Sequence, residues 1–197
     1  VASNPIQCTF TGDQSLSKRS MSRLTDYLEE IGTDVKLTNK HYLPLLISGS
    51  DELLPKSHTM RKASAQVKSA LILAGLNIKG SVKIIENRPT RDHTEKLLKY
   101  LNVNFKLRRL ANGGNEIDLN GPYEMKSKNI FVAGDPSSSS FFIVGALIVP
   151  GSNIKIKNVS LNPTRIAFIK ILKKMGGKIK IETTGKRSGE TVGNITA

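Results

Sequence analysis

Residues 63–70, Ala-Ser-Ala-Gln-Val-Lys-Ser-Ala, decide the fold. They form a turn of small residues that leads directly into an apolar segment, residues 67–76. The apolar segment predicts a helix, and Ser64 is well placed to cap the first backbone N–H groups of that helix. A turn of Ala and Ser also lets a ligand approach the backbone closely, and the positive end of the helix dipole favours an anion there. The turn is therefore compatible with a simple helix cap and with a phosphate or carboxylate site.

The segments around this turn alternate between helix-like and strand-like patterns. Residues 48–62 are predicted to be a polar connection, and the weakly patterned residues 183–197 are predicted to fray. The predicted helices are residues 18–31, 64–76, 90–102, 141–149 and 162–175. The predicted strands are residues 6–10, 34–37, 42–47, 81–86, 104–110, 116–119, 130–132, 153–159 and 178–182.

A repeat underlies this alternation. Val35 corresponds to Phe105 at an offset of 70, and Phe105 corresponds to Ile179 at an offset of 74. Residues 80–84 likewise correspond to residues 151–156. The full unit reads as strand, small-residue turn, helix, strand, Arg-bearing turn, helix and two strands. This length is too great for a typical solenoid repeat and favours a domain in which a few α/β units share one core.

Each copy carries an arginine close to a predicted helix start: Arg19, Arg91 and Arg165. The helix dipole disfavours a cation at that end by roughly 0.3–1 kcal/mol. A bound anion would reverse the sign, because the dipole, the N–H groups and the guanidinium would all attract the same charge. The alternative is that a carboxylate of the chain is the anion, Asp13 for Arg19 and Asp92 for Arg91.

The composition excludes several classes of protein. A single cysteine, Cys8, excludes a disulfide framework, and no uncharged apolar run is long enough to span a membrane. The formal charge of +14, from 30 Lys and Arg against 16 Asp and Glu, is typical of nucleic-acid-binding proteins. However, the lysines are scattered, and no basic block is interleaved with aromatic residues. We therefore favour a cytoplasmic globular protein with a site for multiply anionic small molecules.

Five short motifs carry a resemblance to a known family. They are residues 12–19 (Gly-Asp-Gln-Ser-Leu-Ser-Lys-Arg), 63–70, 90–96 (Thr-Arg-Asp-His-Thr-Glu-Lys), 134–138 (Gly-Asp-Pro-Ser-Ser) and 162–165 (Asn-Pro-Thr-Arg). Each is weak alone, but their order and spacing across nearly the whole chain resemble the enolpyruvyl transferases, and specifically the members that act on shikimate 3-phosphate. The members that act on UDP-N-acetylglucosamine share the fold, but their signatures are not seen here, so they rank second.

The resemblance implies an α/β (α+β) fold, the inside-out α/β barrel, in which two domains are each built from three βαβαββ units around an active-site cleft. It implies that residues 1–132 belong to the first domain and residues 133–197 to the start of the second. It also implies that the chain is an internal piece of a longer, monomeric enzyme.

The implied reaction transfers the enolpyruvyl group from phosphoenolpyruvate to shikimate 3-phosphate, without a cofactor or metal. By position in the motifs, Arg19 would clamp phosphoenolpyruvate. Ser64 and Ala65 would hold the phosphate of shikimate 3-phosphate through a hydroxyl and a backbone N–H. Gln66 would bridge both substrates, and Arg91 would pair with the shikimate phosphate.

The resemblance assigns no catalytic acid or base to this chain, because the family's acid–base groups fall outside residues 1–197. It assigns no role to Arg165, for which a surface or interdomain ion pair is the preferred interpretation. Residues 60–62 (Met-Arg-Lys) add charge beside the Ser64 turn without an obvious purpose. His93 is expected to cap or pack, and His41 and His58 are interpreted as ordinary loop residues.

Two interpretations from other classes stay open beside this one. A basic nucleic-acid-binding domain would use the positive charge and would lose affinity steeply with salt. A structural α/β repeat protein without a site would respond to substitution of Arg19, Gln66 or Arg91 in stability alone.

Overall fold

A computed structural model describes residues 1–39 and 41–197. The sequence also predicts a turn at residues 39–40, between the strands at residues 34–37 and 42–47, and this turn lies partly outside the described residues. The helices are α1 (Gln14–Ser17), α2 (Ser22–Glu30), α3 (Ala65–Gly75), α4 (His93–Tyr100), α5 (Pro136–Ile148) and α6 (Ala167–Lys174). The strands are β1 (Gln7–Phe10), β2 (Asp34–Thr38), β3 (Tyr42–Ser48), β4 (Ser57–Thr59), β5 (Gly80–Glu86), β6 (Lys106–Arg109), β7 (Asn115–Gly121), β8 (Lys155–Ser160), β9 (Lys180–Arg187) and β10 (Glu190–Thr196).

The repeat predicted from the sequence appears as three sheets with the same internal order. The sheets are β1-β3-β2, β4-β5-β7-β6 and β8-β10-β9. In each copy the last strand lies in the middle and pairs antiparallel with both neighbours of its own repeat. The middle copy also has a first strand, β4, which pairs parallel with β5. The chain between β4 and β7 therefore follows a complete βαβαββ order.

The chain forms two compact units. Unit 1 comprises Val1–Thr90 and Asn104–Glu124, and unit 2 comprises Arg91–Val103 and Met125–Ala197. These units describe packing within this chain. The assignment of residues 1–132 and 133–197 to two domains of a longer enzyme stays a prediction.

The core of unit 1 lies where α3 meets α2 and the face of the second sheet. Helix α3 is apolar on most sides, and its Leu71 and Ile72 are almost fully buried beside Ile84 and Leu119 of β5 and β7. The helix approaches the sheet closely at Gly75. A Cβ atom there would lie 3.1 Å from Leu119 Cδ1, so a larger residue would require the contact to loosen.

The core of unit 2 is a second apolar cluster, formed by α5, α6 and the third sheet. Its buried members are Ile143, Val159, Leu161, Ile169, Ile179 and Ile195. Unlike α3, α5 buries only one of its sides. Phe141 and Phe142 of this helix are 79% and 68% exposed. Among the described residues, no helix is both long and apolar enough to cross a membrane.

Several predicted elements need correction. The helix predicted at residues 18–31 is a short helix, α1, followed by α2, which begins only at Ser22. The connection at residues 48–62 contains the strand β4, and residues 130–132, predicted as a strand, form none. The tail predicted to fray forms β9 and β10 instead, with Val192 and Ile195 of β10 buried.

Candidate functional site

The turn before α3 is a helix cap, as the sequence predicted. Ser64 has an extended backbone (φ −150°, ψ 111°), and its hydroxyl oxygen accepts a hydrogen bond from the Val67 N–H at 3.3 Å. Its carbonyl accepts the first helical bond, from the Lys68 N–H at 3.0 Å. The cap satisfies one of the free N–H groups of the first turn and leaves others for water or a ligand.

A cleft of about 520 Å³ lies beside this turn, entirely within unit 1. Its walls come from the first part of α2 and from the segment that leads into α3. The lining residues are Ser20, Ser22, Arg23, Asp26, Tyr27, Arg61, Lys62, Ala63, Ser64 and Val67. The cleft thus combines hydroxyl groups with three cations and one carboxylate, a lining that suits an anionic ligand.

Arg61, in the charged segment at residues 60–62, connects this segment to α2. Its guanidinium contacts Asp26 at 2.9 Å and Glu30 at 3.2 Å, and lies 5.5 Å from the centre of the Tyr27 ring. Its backbone N–H donates to the Tyr27 hydroxyl at 2.8 Å. Arg61 therefore connects the segment to α2, and the next residue, Lys62, is also exposed and lines the cleft.

Arg23 is a cleft residue that the sequence analysis missed. It lies in the first turn of α2, and its Nη2 donates to Gln66 Oε1 at 3.0 Å. The pair joins the start of α2 to the start of α3 across 43 residues of sequence. An arginine in the first turn of a helix, where the dipole disfavours it, would have been the signal, but the sequence analysis began this helix at residue 18 and so placed Arg23 beyond its first turn.

A buried ion pair underlies the same region. Lys68, one turn into α3, is fully buried, and its Nζ lies 3.3 Å from Oε2 of Glu86, the last residue of β5. The Glu86 carboxylate also accepts bonds from the Thr90 hydroxyl at 2.8 Å, from the Thr90 N–H at 3.2 Å and from the Asn115 amide at 2.8 Å. Several polar partners thus compensate the buried charge, as the low-dielectric interior requires.

The structure places the predicted site residues in two different units. Ser64, Ala65 and Gln66 lie together at the start of α3 in unit 1. Arg19 also belongs to unit 1, where it lies exposed between α1 and α2 and does not line the cleft. Arg91 is exposed and belongs to unit 2. The substrate roles assigned to these residues stay predictions.

The carboxylates suggested as partners for Arg19 and Arg91 have other partners. Asp13 caps α1 by accepting from the Leu16 N–H at 2.7 Å. Asp92 accepts from the Asn162 amide at 2.8 Å and lies 3.1 Å from Lys96 Nζ. Partial burial raises the pKa of Asp92, but these two partners lower it by more, so that the net shift is downward. Within the described residues, neither Arg19 nor Arg91 forms an ion pair with these carboxylates.

Arg165 forms an ion pair, which confirms the preferred interpretation of this residue. Its Nη2 lies 2.6 Å from Asp135 Oδ1 and 2.8 Å from the Ser137 hydroxyl, all within unit 2. Asp135 also caps α5 by accepting from the Ser138 N–H at 2.9 Å. This backbone hydrogen bond is the main reason that the pKa of Asp135 lies below its ordinary value, and Arg165 adds to the effect.

The three histidines have different surroundings. His93 is the first residue of α4, and its Nδ1 lies 2.5 Å from Glu190 Oε1, which is a polar contact and not the capping or packing role that was expected. His58 is not an ordinary loop residue: it lies in β4, its side chain is fully buried, and its ring stacks edge-on against Tyr27. Burial lowers the pKa of His58, although nearby Glu30 opposes the shift. His41 lies on the surface next to Tyr42.

The geometry of the cleft suits binding through charge and hydrogen bonds. No set of three or more His, Cys, Asp or Glu side chains within residues 1–39 and 41–197 is arranged to hold a metal ion. The residues around the Ser64 turn supply hydroxyl, amide, ammonium and guanidinium donors, which match the oxygens of phosphates and carboxylates.

The chain resembles known proteins over nearly its whole length. A family model described as EPSP synthase (3-phosphoshikimate 1-carboxyvinyltransferase) matches residues 1–195. A 3-phosphoshikimate 1-carboxyvinyltransferase of Sphingopyxis alaskensis is 44% identical over 99% of this chain and 45% of the relative. One of Novosphingobium aromaticivorans is 43% identical over 99% of this chain and 44% of the relative. The chain thus spans about half the length of the curated relatives it matches.

Solved structures agree with the fold. EPSP synthase from Acinetobacter baumannii superposes with a TM-score of 0.81 at 36% identity, covering 99% of this chain and 43% of that one. The enolpyruvyl transferase NikO from Streptomyces tendae has a TM-score of 0.66 at 13% identity, covering 97% and 43%, which supports the fold alone. The predicted α/β (α+β) fold of repeated units is therefore confirmed, and the chain belongs to the EPSP synthase family.

Proposed function

We propose that this chain takes part in the transfer of the enolpyruvyl group from phosphoenolpyruvate to shikimate 3-phosphate. The observation that carries the proposal is the family match over residues 1–195, together with 44% identity to a protein named for this reaction. The protein acts as a monomer in the cytoplasm. Residues 1–132 contribute to one domain of the enzyme and residues 133–197 to the start of the other.

Both substrates are anions, and the chemistry of the Ser64 turn supports binding of their charged groups. Ser64 and Ala65 hold the phosphate of shikimate 3-phosphate at the start of α3, where the helix dipole adds to the attraction. Gln66 bridges the two substrates through its side-chain amide. Arg19 clamps phosphoenolpyruvate, and Arg91 pairs with the shikimate phosphate; their planar guanidinium groups suit bidentate contacts with such oxygens.

In the proposed reaction, a hydroxyl of shikimate 3-phosphate adds to the double bond of phosphoenolpyruvate, and phosphate then leaves the tetrahedral intermediate. This chain supplies binding and orientation, which lower the barrier by holding the reacting groups together. The catalytic acid and base lie outside it. Thr90 precedes Arg91, and its hydroxyl and N–H both donate to the buried Glu86 carboxylate, which pairs with Lys68 of α3.

Calorimetric titration of the purified chain with shikimate 3-phosphate tests the proposal. We expect saturable binding that is strongly weakened in Gln66→Ala and in Arg91→Ala. Arg108→Ala is the matched control, because it also removes one cation but acts on an exposed pair with Glu116 on the second sheet.

Three results would contradict the proposal. The first is a folded wild-type chain that does not bind. The second is tight binding of an oligonucleotide, with a steep salt dependence and no preference for shikimate 3-phosphate, which would favour a nucleic-acid-binding domain. The third is phosphate release above background when the chain is incubated with both substrates, which would show that a catalytic acid and base are present after all.

A further inference from the structure

We propose that Arg23 is a positioning residue: it orients the side-chain amide of Gln66 so that the amide presents its N–H donors to an anionic ligand. The inference rests on the proposed function, because it concerns how Gln66 meets the substrates. It starts from the hydrogen bond between Arg23 Nη2 and Gln66 Oε1, 3.0 Å long.

The chemistry of the two groups permits only one orientation. A glutamine amide has one acceptor, the oxygen, and two donors on its nitrogen, whereas a guanidinium has donors only. Arg23 therefore bonds to Oε1 of Gln66 and leaves both N–H groups of Nε2 available. A flipped amide would place N–H groups against the guanidinium and would turn its carbonyl oxygen toward the phosphate or carboxylate that Gln66 is proposed to bind.

The positions of the two residues fit this role. Arg23 lines the cleft beside Ser64, and Gln66 lies two residues beyond Ser64 in the first turn of α3. The hydrogen bond is exposed, so it contributes little to the stability of the fold. Its effect is to reduce the freedom of a flexible side chain before a ligand arrives, which is the general advantage of a preorganised site.

Lys62 provides a matched control for charge. It lines the same cleft as Arg23 and carries the same charge. If Arg23 acted only through its charge, replacing either residue by Met would weaken anion binding in the same way. Both effects would then disappear at high salt, since exposed charges are screened.

The test is a double-mutant cycle on the full chain, with shikimate 3-phosphate as the probe in calorimetric titrations at about 0.02 M and about 0.3 M salt. We expect Arg23→Met to weaken binding about two- to tenfold at both salt concentrations, because the ligand must then immobilise a Gln66 side chain that was mobile before binding. In a Gln66→Ala background, Arg23→Met should have only the small, salt-sensitive effect that Lys62→Met has. Equal effects of Arg23→Met in both backgrounds would overturn the inference.

A second measurement separates this inference from the proposed function. The heteronuclear NOE of the Gln66 side-chain Nε2 group reports whether the amide is ordered without any ligand. We expect an ordered amide in the wild type and in Lys62→Met, and a mobile one in Arg23→Met. A wild-type chain that does not bind shikimate 3-phosphate would contradict the proposed function and the proposal that Gln66 binds an anion. If the amide is equally mobile in the wild type and in Arg23→Met, the positioning role of Arg23 is contradicted, and this conclusion does not depend on the binding result.

Discussion

The turns that begin α3 and α5 occupy the same place in two copies of the repeat, but only the turn at α5 has a carboxylate as its helix cap. At α5 the cap is Asp135, and Arg165 lies 2.6 Å from its carboxylate. At α3 the cap is the neutral Ser64, and the nearby Arg23 bonds to the neutral amide of Gln66. At α5, the Asp135 carboxylate thus interacts with both the helix N-terminus and an arginine. At α3, the groups in these positions, Ser64 and Gln66, are neutral.

This difference explains why only one of the two turns is a good candidate for substrate binding. The positive end of a helix and a guanidinium attract the same anion, and Asp135 satisfies both at α5. A phosphate there would compete with a covalently tethered carboxylate. At α3 the N-cap is the neutral Ser64, so an external anion does not compete with a carboxylate at that position.

The two turns also differ in what lies beneath them. At α3, Lys68 is buried and pairs with Glu86 of β5. At the corresponding place in α5, the hydroxyl of the buried Ser139 donates only to the carbonyl of Asp135 in the turn itself, at 2.9 Å. The α3 turn is therefore connected to its sheet by a buried ion pair, whereas the α5 turn is connected by the partly exposed Arg165–Asp135 pair and by backbone hydrogen bonds between Gly134 and β8.

The largest expected effect is the loss of the buried pair beneath α3. We expect Lys68→Met to lower the free energy of unfolding by about 3–5 kcal/mol, because it leaves the carboxylate of Glu86 buried without its ammonium partner. Urea denaturation followed by circular dichroism measures the change. Lys155→Met is the matched control: its pair with Glu182 is about half exposed and screened by solvent, so we expect a much smaller loss of stability. Similar costs for the two variants would show that the α3 turn does not depend on the buried pair.

A smaller change in stability should distinguish the two helix caps, Ser64 at α3 and Asp135 at α5. We expect Ser64→Ala to cost about 1 kcal/mol, the usual loss for an N-cap, and Asp135→Ala to cost more because it also removes the partner of Arg165. The midpoints of urea denaturation compare the two variants. In a background that carries Arg165→Met, the cost of Asp135→Ala should fall to that of Ser64→Ala. The comparison fails if Ser64→Ala proves the more costly substitution in the wild-type background.

The smallest effect concerns pH. Hydrogen bonds from Ser138, together with Arg165, hold the pKa of Asp135 below its ordinary value, so its charge stabilises the fold above about pH 4 and loses that effect as the pH falls through the lowered pKa. Asp135→Asn keeps a good cap but removes the charge. We expect the wild type to be the more stable of the two at pH 7, with the difference vanishing toward pH 2. Urea midpoints across this range measure it, and a difference that does not change with pH would contradict the prediction.

Much of the fold could be predicted from the sequence because the Ser64 cap and the apolar periodicity depend on residues that are neighbours in the chain. Ser64 caps α3 as predicted, and the repeat appears as three sheets of the same order. The largest error was the tail. Strand β10 lies in the middle of its sheet, but its pairing shifts register around Gly193, which interrupts the alternation of buried and exposed residues that would have revealed a strand. Strand β4, only three residues long, is too short for such a pattern.

The candidate site could be predicted only in part. The Ser64 turn was found because its cap, its small residues and the helix that follows are contiguous in the chain. Arg23 was missed because its partner Gln66 is 43 residues away, and the partner of Arg165 was missed for the same reason, Asp135 being 30 residues away.

The sequence by itself determined the repeat, the Ser64 cap that begins α3 and the family to which the chain belongs, because each of these is encoded in short contiguous motifs along the chain. Only the tertiary structure decided which arginine meets which acceptor and that Lys68 is buried against Glu86. The physical reason is that hydrogen bonds and ion pairs depend on distances through space. A repeat that places similar residues at equivalent positions does not state which of them will find a partner within the chain.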